Sequence, residues 1–186
     1  MKDKYNIKQS KNFLSKDNIN FIENVLLKRN FPYYLSHSFK EGLVQKNEYL
    51  SHVVLRRIEE GGVKNAINSP DVYEQTLDIL NNFCNSINEK YEFFTRISYN
   101  LTFNNGEEKS HTHKDHDYPH KQIIIYLNDA DKDSKTCILN EKEKVVKEIE
   151  PKKYTGVCFD DLKHYQIFPK SGFRLVLVAT FISTKS

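Results

Sequence analysis

Cysteine is scarce in this sequence, and the three that occur lie far apart, at Cys84, Cys137 and Cys158. Their number is odd and none forms a Cys-x-x-Cys pair, which argues against both a disulfide framework and a zinc knuckle. A reducing compartment fits this usage best. The sequence also lacks an apolar run near the roughly 18 residues that span a bilayer, and its polar start lacks a signal core. We therefore expect a soluble, cytoplasmic protein with no membrane partner.

A concentration of positive charge is absent as well. The 28 Lys and Arg residues nearly balance the 25 Asp and Glu residues and are scattered along the chain, which leaves a net charge of +3. Proteins that bind nucleic acid usually gather their basic residues into a stripe or patch. The distribution therefore does not favour nucleic acid as a partner, and it does not specify an oligomeric state.

The chain length bounds the number of domains. Its 186 residues, 38% hydrophobic and 12% aromatic, suffice for one proper core but are too few for two independent ones. We expect one domain over 1–186, with a helical support and lid region at 1–92 and a β-rich catalytic core at 93–186. Within the first region, 35–69 looks irregular apart from a strand-like piece over 53–58, and we expect a lid or substrate loop there.

Two helices are predicted in the first region. One is capped by Ser15 or Asp17 and runs to about Arg29, because apolar residues recur on one face at helical spacing. The other begins at Ser69-Pro70, where a capping residue precedes a proline at the first helical position.

The second region has the pattern of short apolar strands separated by polar turns. Strands are predicted over six segments: 95–103, 122–127, 136–139, 144–149, 155–159 and 173–182. Helices followed by short strands indicate an α+β, mainly β protein. We expect a β-sandwich or double-sheet jelly roll, with the N-terminal helices packed on one sheet.

Four of the seven histidines lie within 110–120, between two predicted strands. By composition alone, a solvated polar loop explains this cluster as well as a metal site does. The spacing favours a metal, because the chain contains a single His-x-Asp, His113-Lys114-Asp115. Residues two apart on an extended segment project to the same side, so this imidazole and carboxylate can hold one ion.

A third ligand should come from a distant strand, and His164 in the C-terminal β region is placed to supply it. Taken alone, His164 would be an ordinary surface or hydrogen-bonded histidine. Two histidines and one carboxylate, however, make the facial triad that binds Fe(II) and leaves coordination positions open. A purely structural metal would instead be enclosed by four protein ligands.

Ten residues after His164, Arg174 places a guanidinium in an otherwise apolar strand. A buried arginine needs an anion, and its planar fork pairs well with a carboxylate. A dicarboxylic acid that chelates iron at one end could therefore meet Arg174 with its far carboxylate. Without the triad, an arginine at a surface strand end would be the simpler interpretation.

In this order and spacing, the residues resemble the Fe(II)/2-oxoglutarate dioxygenases, particularly the prolyl 4-hydroxylase-like branch. The resemblance spans about 96–182 and rests on these motifs: His113-x-Asp115, Ile123–Asn128, Ile149–Lys152, Phe159, His164 and Arg174. The chain departs from the family pattern at 131–136, where it keeps a threonine but lacks the glycines that many members have.

The resemblance implies a double-stranded β-helix core and an enzyme that uses Fe(II), 2-oxoglutarate and O2, with ascorbate as a candidate reductant. Such an enzyme hydroxylates an unactivated C–H bond and releases succinate and CO2. The implied substrate is a peptidyl proline or a related polypeptide side chain, so the expected partner is a peptide, a protein or a small molecule.

The resemblance also assigns roles to residues. His113, Asp115 and His164 would be the metal ligands and hence the catalytic centre, while Arg174 and Tyr126 would bind the distal carboxylate of 2-oxoglutarate. The remaining cosubstrate contacts would come from Asn100, with Thr102 behind it. Ordinary polar side chains on a half-exposed sheet face explain these last two equally well.

Three alternatives stay open at this point. The same chemistry could act on a nucleobase or a free amino acid, although a nucleobase enzyme would want a basic groove. A cupin-like metal-binding protein that does not use 2-oxoglutarate could employ His111, His113 and His164. It would want a glutamate soon after the histidine pair, and none occurs between Glu108 and Glu141. Finally, the chain could be a catalytically silent binding module.

Overall fold

The computed structural model describes residues 5–38, 47–57 and 67–184. Two α-helices lie within them, α1 (Lys16–Phe21), which continues into a π-helical turn (Ile22–Leu26), and α2 (Pro70–Ser86). Ten strands accompany them: β1 (Lys8–Lys11), β2 (Tyr34–Ser38), β3 (Asn47–Leu55), β4 (Tyr91–Phe103), β5 (Lys121–Tyr126), β6 (Thr136–Leu139), β7 (Val145–Ile149), β8 (Thr155–Asp160), β9 (His164–Gln166) and β10 (Phe173–Ser183).

The strands form two antiparallel sheets. The large sheet has the order β1-β8-β5-β10-β4-β3-β2, and the small sheet has the order β7-β6-β9. Strand β10 lies at the centre of the large sheet and pairs with both β4 and β5. An apolar cluster with members from both sheets, such as Ile138 of the small sheet and Val176 of the large one, fills the space between them. This is the mainly β jelly roll that the strand pattern predicted.

Both helices pack on the outer face of the large sheet, as expected. In α1 the Ser15 hydroxyl accepts a hydrogen bond from the Asn18 N–H, and the Asn18 side chain accepts one from the Ser15 N–H, which makes a capping box. In α2 the buried Phe83 lies directly over Gly156 of β8, where an added Cβ would come within 2.5 Å of the ring. No described helix has both the length and the apolar character needed to cross a membrane.

The prediction for 35–69 was wrong in its irregular part, because strands β2 and β3 lie there and extend the large sheet. Strands β1 and β9 were missed too. Strands β1, β2 and β9 are three to five residues long, which leaves little room for an apolar alternation. Strand β3 has nine residues, and the prediction found only its apolar end, within 53–58; pairing with β2 and β4 orders the rest. Residues 39–46 and 58–66 of the predicted lid lie outside the described residues, so the lid stays a prediction.

Helix α2 begins at Pro70, as predicted, but Ser69 does not act as the side-chain cap. Its hydroxyl instead donates to the Val53 carbonyl at 3.2 Å, and its backbone N–H bonds to Val54. The start of α2 is thereby tied to β3, and the proline at the first helical position sets the helix start.

A buried ion cluster joins several strands at one end of the large sheet. Glu89, whose side chain is 6% exposed, accepts from Lys8 at 2.7 Å, from Lys121 at 2.6 Å and from Ser183 at 3.0 Å. Burial by itself would raise the pKa of Glu89, but the hydrogen bonds from Lys121 and Lys8 outweigh it and leave the pKa below its usual value.

Glu89→Gln should lower the free energy of unfolding by about 2 kcal/mol at pH 7, because charge-assisted hydrogen bonds are lost. A depressed carboxyl pKa stabilises the fold above the unfolded value of about 4.3 and ceases to do so as the pH falls through the folded value. The difference between the two proteins in urea unfolding should therefore shrink under acid conditions. As a control, Glu148→Gln at an exposed pair with Lys135 should cost under about 1 kcal/mol.

Candidate metal centre

His113, Asp115 and His164 come together with one potential ligand atom each, and these atoms lie within 4.8 Å of one another. His113 and Asp115 lie in the loop between β4 and β5, whereas His164 begins β9. Main-chain hydrogen bonds of 3.0 Å run in both directions between His113 and His164 and bring the loop to the small sheet. In the part of the chain that the structure describes, no other such group of His, Cys, Asp or Glu is found.

Main-chain carbonyls hold both imidazole rings through Nδ1. His113 Nδ1 lies 2.9 Å from the His111 oxygen, and His164 Nδ1 lies 3.2 Å from the Leu162 oxygen. A carbonyl can only accept, so each Nδ1 carries the proton and each Nε2 keeps its lone pair. Metal-binding histidines typically have this outer hydrogen bond, which sets the tautomer.

Asp115 is held as a buried carboxylate by two arginines. Its Oδ1 accepts from Arg96 at 2.6 Å and from Arg57 at 2.8 Å. Burial alone would raise the pKa of Asp115, but Arg96, the neighbouring histidines and Arg57 outweigh burial and hold the pKa far below its usual value. The other oxygen, Oδ2, is buried and has no hydrogen-bond partner.

His164 is electrically neutral over the physiological range. Its burial, followed by the effect of His113, lowers the pKa of its imidazole to about 4, against the opposing influence of Asp115. Its Nε2 lies 3.7 Å from Asp115 Oδ2 and 3.3 Å from the carboxamide nitrogen of Gln122. Two imidazole nitrogens and one carboxylate oxygen without a hydrogen-bond partner are the donor set that suits a divalent metal such as Fe(II), so the residues fit the implied ion.

A cavity of about 610 Å³ opens beside these three residues. Its walls are the inward faces of both sheets and the edge of the histidine loop. The polar side chains that line it include Arg57, Arg96, Ser98, Asn100, Thr102, Gln122, Thr136, Gln166 and Arg174. The centre is thus reached from a pocket of a size that suits a small ligand.

Arg174 is 3% exposed and lies in the cavity wall. Its guanidinium donates to Gln166 Oε1 and, at 2.7 Å, to Thr136 Oγ1, while its Nε has no hydrogen-bond partner. Burial lowers the pKa of Arg174, since no carboxylate of the described residues pairs with it. Arg174 is therefore a buried cation that still has a donor to spare in the cavity wall.

Tyr126 stands behind Arg174 rather than in the cavity wall. Its hydroxyl donates to Thr136 Oγ1 at 2.8 Å, and the Arg174 guanidinium lies 5.2 Å from its ring centre. The expected contact between Tyr126 and a cosubstrate carboxylate stays a prediction, and Thr136 presents the hydroxyl that lines the cavity.

Strand β4 divides its side chains between the two faces of the sheet. Ile97 and Tyr99 pack under the helices, whereas Asn100 and Thr102 line the cavity. Asn100 accepts a hydrogen bond from Ser98 at 2.8 Å, and Thr102 is buried with its hydroxyl 3.4 Å from the Arg174 carbonyl oxygen. Residues two apart on a strand face the same side, which explains why Asn100 and Thr102 share the cavity face. Their role toward a cosubstrate stays a prediction.

The surplus histidines of the loop are engaged elsewhere. His116 Nε2 lies 2.8 Å from Thr180 Oγ1, and His120 Nδ1 lies 2.9 Å from the Tyr118 carbonyl. His111 contributes its main-chain oxygen to His113, and its ring is not part of the group of three. The cupin-like set of His111, His113 and His164 is therefore not the set that the fold assembles.

Several residues of the site were not identified as such from the sequence. Arg57 and Arg96 were given no role toward Asp115, because nothing local in the sequence links either arginine to the loop that holds Asp115. Thr136 was noted only as the threonine that the family pattern keeps, and Gln122 and Gln166 carried no signal of their own, because each is a common polar residue in a short strand. Only pairing between distant strands brings them to the cavity.

Solved structures of known proteins share this fold. An oxidoreductase of the 2OG-Fe(II) oxygenase family from Burkholderia pseudomallei superposes with a TM-score of 0.74 at 13% identity, over 95% of this chain and 84% of that chain. A Pseudomonas putida prolyl-4-hydroxylase superposes with a TM-score of 0.63 at 14% identity, over 96% of this chain and 94% of that chain. A Trichoplax adhaerens prolyl hydroxylase, in complex with a hypoxia inducible factor peptide fragment, superposes with a TM-score of 0.63 at 15% identity. That match covers 96% of this chain and 84% of that chain.

No protein-family model and no curated protein sequence matches the chain. At the identities of the solved structures, the likeness shows the fold. The chain therefore has the jelly-roll fold of the 2OG-Fe(II) oxygenase type, with a His-Asp-His group at its cavity.

Asp115→Asn should lower the free energy of unfolding by about 3 kcal/mol in metal-free buffer, because it leaves two guanidiniums without their anion. The difference in unfolding free energy between the two proteins should be largest above about pH 4 and should shrink in acid. A carboxyl with a depressed pKa stabilises the fold only while it is ionised. Urea unfolding with a chelator present measures it. Asp161→Asn, at a more exposed pair with Lys114, is the matched control and should cost under about 1 kcal/mol.

Proposed function

We propose that the protein is a non-haem Fe(II)- and 2-oxoglutarate-dependent oxygenase that hydroxylates an unactivated C–H bond and releases succinate and CO2. The observation that carries the proposal is one cavity with two features. His113, Asp115 and His164 meet on its wall, and the unpaired buried cation Arg174 lines it too. A triad alone is compatible with several metal proteins, but a second, anion-binding point in the same cavity suits a dicarboxylic cosubstrate.

His113, Asp115 and His164 would hold Fe(II), which when bound supplies the activation of O2 needed to attack a C–H bond. The two histidines would offer their Nε2 atoms, because main-chain carbonyls engage their Nδ1 atoms. Asp115 offers Oδ2, the oxygen that the arginines do not use. Three protein donors leave the remaining coordination positions for small ligands.

Arg174 would bind the distal carboxylate of 2-oxoglutarate. Its Nε–H has no hydrogen-bond partner and could donate to one more acceptor. Thr136, next to Arg174, has its hydroxyl in the cavity wall. Tyr126 would support both groups from behind through its bond to Thr136. Asn100 and Thr102 lie on the same cavity wall and would complete the cosubstrate pocket.

The proposed substrate is a peptide that presents a proline, as in a prolyl 4-hydroxylase. The cavity extends past the metal residues to strands β2 and β3, where Leu35, Ser36, Tyr49 and Ser51 line it. A side chain of a longer polypeptide would enter the cavity from this side. The Pseudomonas and Trichoplax structures of the same fold are prolyl hydroxylases, and the latter holds a peptide.

The cofactor assignment can be tested without the substrate. Anaerobic titration of the Fe(II)-loaded protein with 2-oxoglutarate should produce the weak visible charge-transfer band of the chelate. Arg174→Lys should still give the band but require about 10-fold or more 2-oxoglutarate, because an ammonium cannot reproduce the fork. His113→Ala should abolish it.

His111→Ala, two residues away and outside the group of three, is the matched control and should keep the band. Iron binding with no band in the wild type would mean that the metal site is real and the 2-oxoglutarate assignment is wrong. Loss of iron binding in His111→Ala but not in Asp115→Ala would instead favour the cupin-like set.

The substrate assignment has its own measurement. Proline-containing peptides should raise the rate of succinate release above the rate without any peptide. Mass spectrometry should show that the proline of these peptides gains about 16 mass units, the mass of one oxygen atom. Peptides with alanine in place of that proline serve as the control. If all peptides leave the rate unchanged while a free amino acid or a nucleobase stimulates it, the peptide assignment is wrong and the oxygenase assignment stands.

A further inference from the structure

Two arginines hold Asp115 at three points. Arg96 Nη1 donates to Oδ1 at 2.6 Å, and Arg57 Nη2 donates to the same oxygen at 2.8 Å. Arg57 also donates through Nη1 to the main-chain oxygen of Asp115, at 2.8 Å. The Arg57 fork therefore binds the backbone and the side chain of one residue together, which restricts how the carboxylate can turn.

The two carboxylate oxygens are consequently not equivalent. Oδ1 accepts from both guanidiniums, while the buried Oδ2 has no hydrogen-bond partner and lies 3.7 Å from His164 Nε2. A carboxylate that is free to rotate could offer either oxygen or both to a metal. With Oδ1 occupied, Oδ2 is the single atom that faces the histidines.

The arginines reach Asp115 from different parts of the large sheet. Arg96 lies within β4, whereas Arg57 lies two residues beyond the end of β3, a strand that lines the cavity mouth. The main-chain bridge between the histidine loop and β9 is made at His113 and does not include Asp115. The position of Asp115 thus depends on side-chain contacts, which Arg57 provides for its backbone as well as its carboxylate.

We propose that Arg57 is a positioning residue for the metal. Together with Arg96 it occupies Oδ1 and turns Oδ2 toward the ion as a one-atom ligand. The inference rests on the proposed metal site. Electrostatics alone would act in the opposite direction, because a cation next to a divalent ion repels it. Removal of Arg57 should therefore weaken metal binding only if the orientation of Asp115 contributes more to the affinity than the charge repulsion between Arg57 and the ion.

The test is Co(II) binding to the metal-free protein, followed by calorimetry and by the visible d–d band. Arg57→Ala should bind Co(II) about 10- to 100-fold more weakly, the usual loss when an outer partner of a metal ligand is removed. Its d–d band should change in intensity as well, because a released carboxylate can add a second oxygen to the metal. A purely structural role for Arg57 would not alter that band.

Two variants separate geometry from charge. Arg57→Lys keeps the charge but lacks the planar fork that bonds the main-chain oxygen and Oδ1 of Asp115 from two separate nitrogens, so it should remain weak. Arg56→Ala removes the neighbouring arginine, which bonds Asn68 instead, and should bind Co(II) like the wild type. Arg57 is 26% exposed at its side chain, so these variants should fold, and thermal melting checks this.

The outcomes are distinct. Wild-type affinity in Arg57→Ala, or full rescue in Arg57→Lys, would overturn the positioning role while leaving the metal site intact. A wild-type protein that binds no Co(II) would overturn the proposed metal site itself, and this inference with it.

Discussion

The pair of main-chain hydrogen bonds between His113 and His164 is the contact on which the site depends. It closes the long loop after β4 onto the small sheet and sets two imidazoles side by side, with ring centres 4.6 Å apart. Because these bonds join backbone atoms, they fix the distance between the two histidines whatever their side chains do. Asp115 then needs only to be turned toward them, and that is a matter of side-chain contacts.

The interior of the jelly roll is unusually rich in charge for a core. It holds Asp115 with Arg57 and Arg96 at one place and Arg174 at another, and among the described residues only the first two arginines have a carboxylate partner. A buried charge is costly unless it is paired or hydrogen-bonded. The Asp115 group thus contains ion pairs, whereas Arg174 relies on the neutral partners Gln166 and Thr136.

The sequence predicted the central strands well and the edge strands poorly. The segment 136–139 matches β6, and 122–127 differs from β5 by one residue at each end. Both are buried apolar runs whose character is local. Strand β1 has no such pattern, since it is a polar edge strand whose hydrogen bonds all come from β8. A strand that is stabilised by a partner almost 150 residues away in the sequence need not have a recognisable strand pattern of its own.

The sequence by itself determined the mainly β fold and the candidate donors. His113 and Asp115 are two residues apart, so local geometry already places them together, and Arg174 is conspicuous because its strand is otherwise apolar. Only the tertiary structure decided that His164 meets them, that Arg57 and Arg96 share one oxygen of Asp115, and that Gln166 and Thr136 surround Arg174. The physical reason is that each of these contacts joins different strands or loops, and the register of a sheet is set by the packing of the whole core.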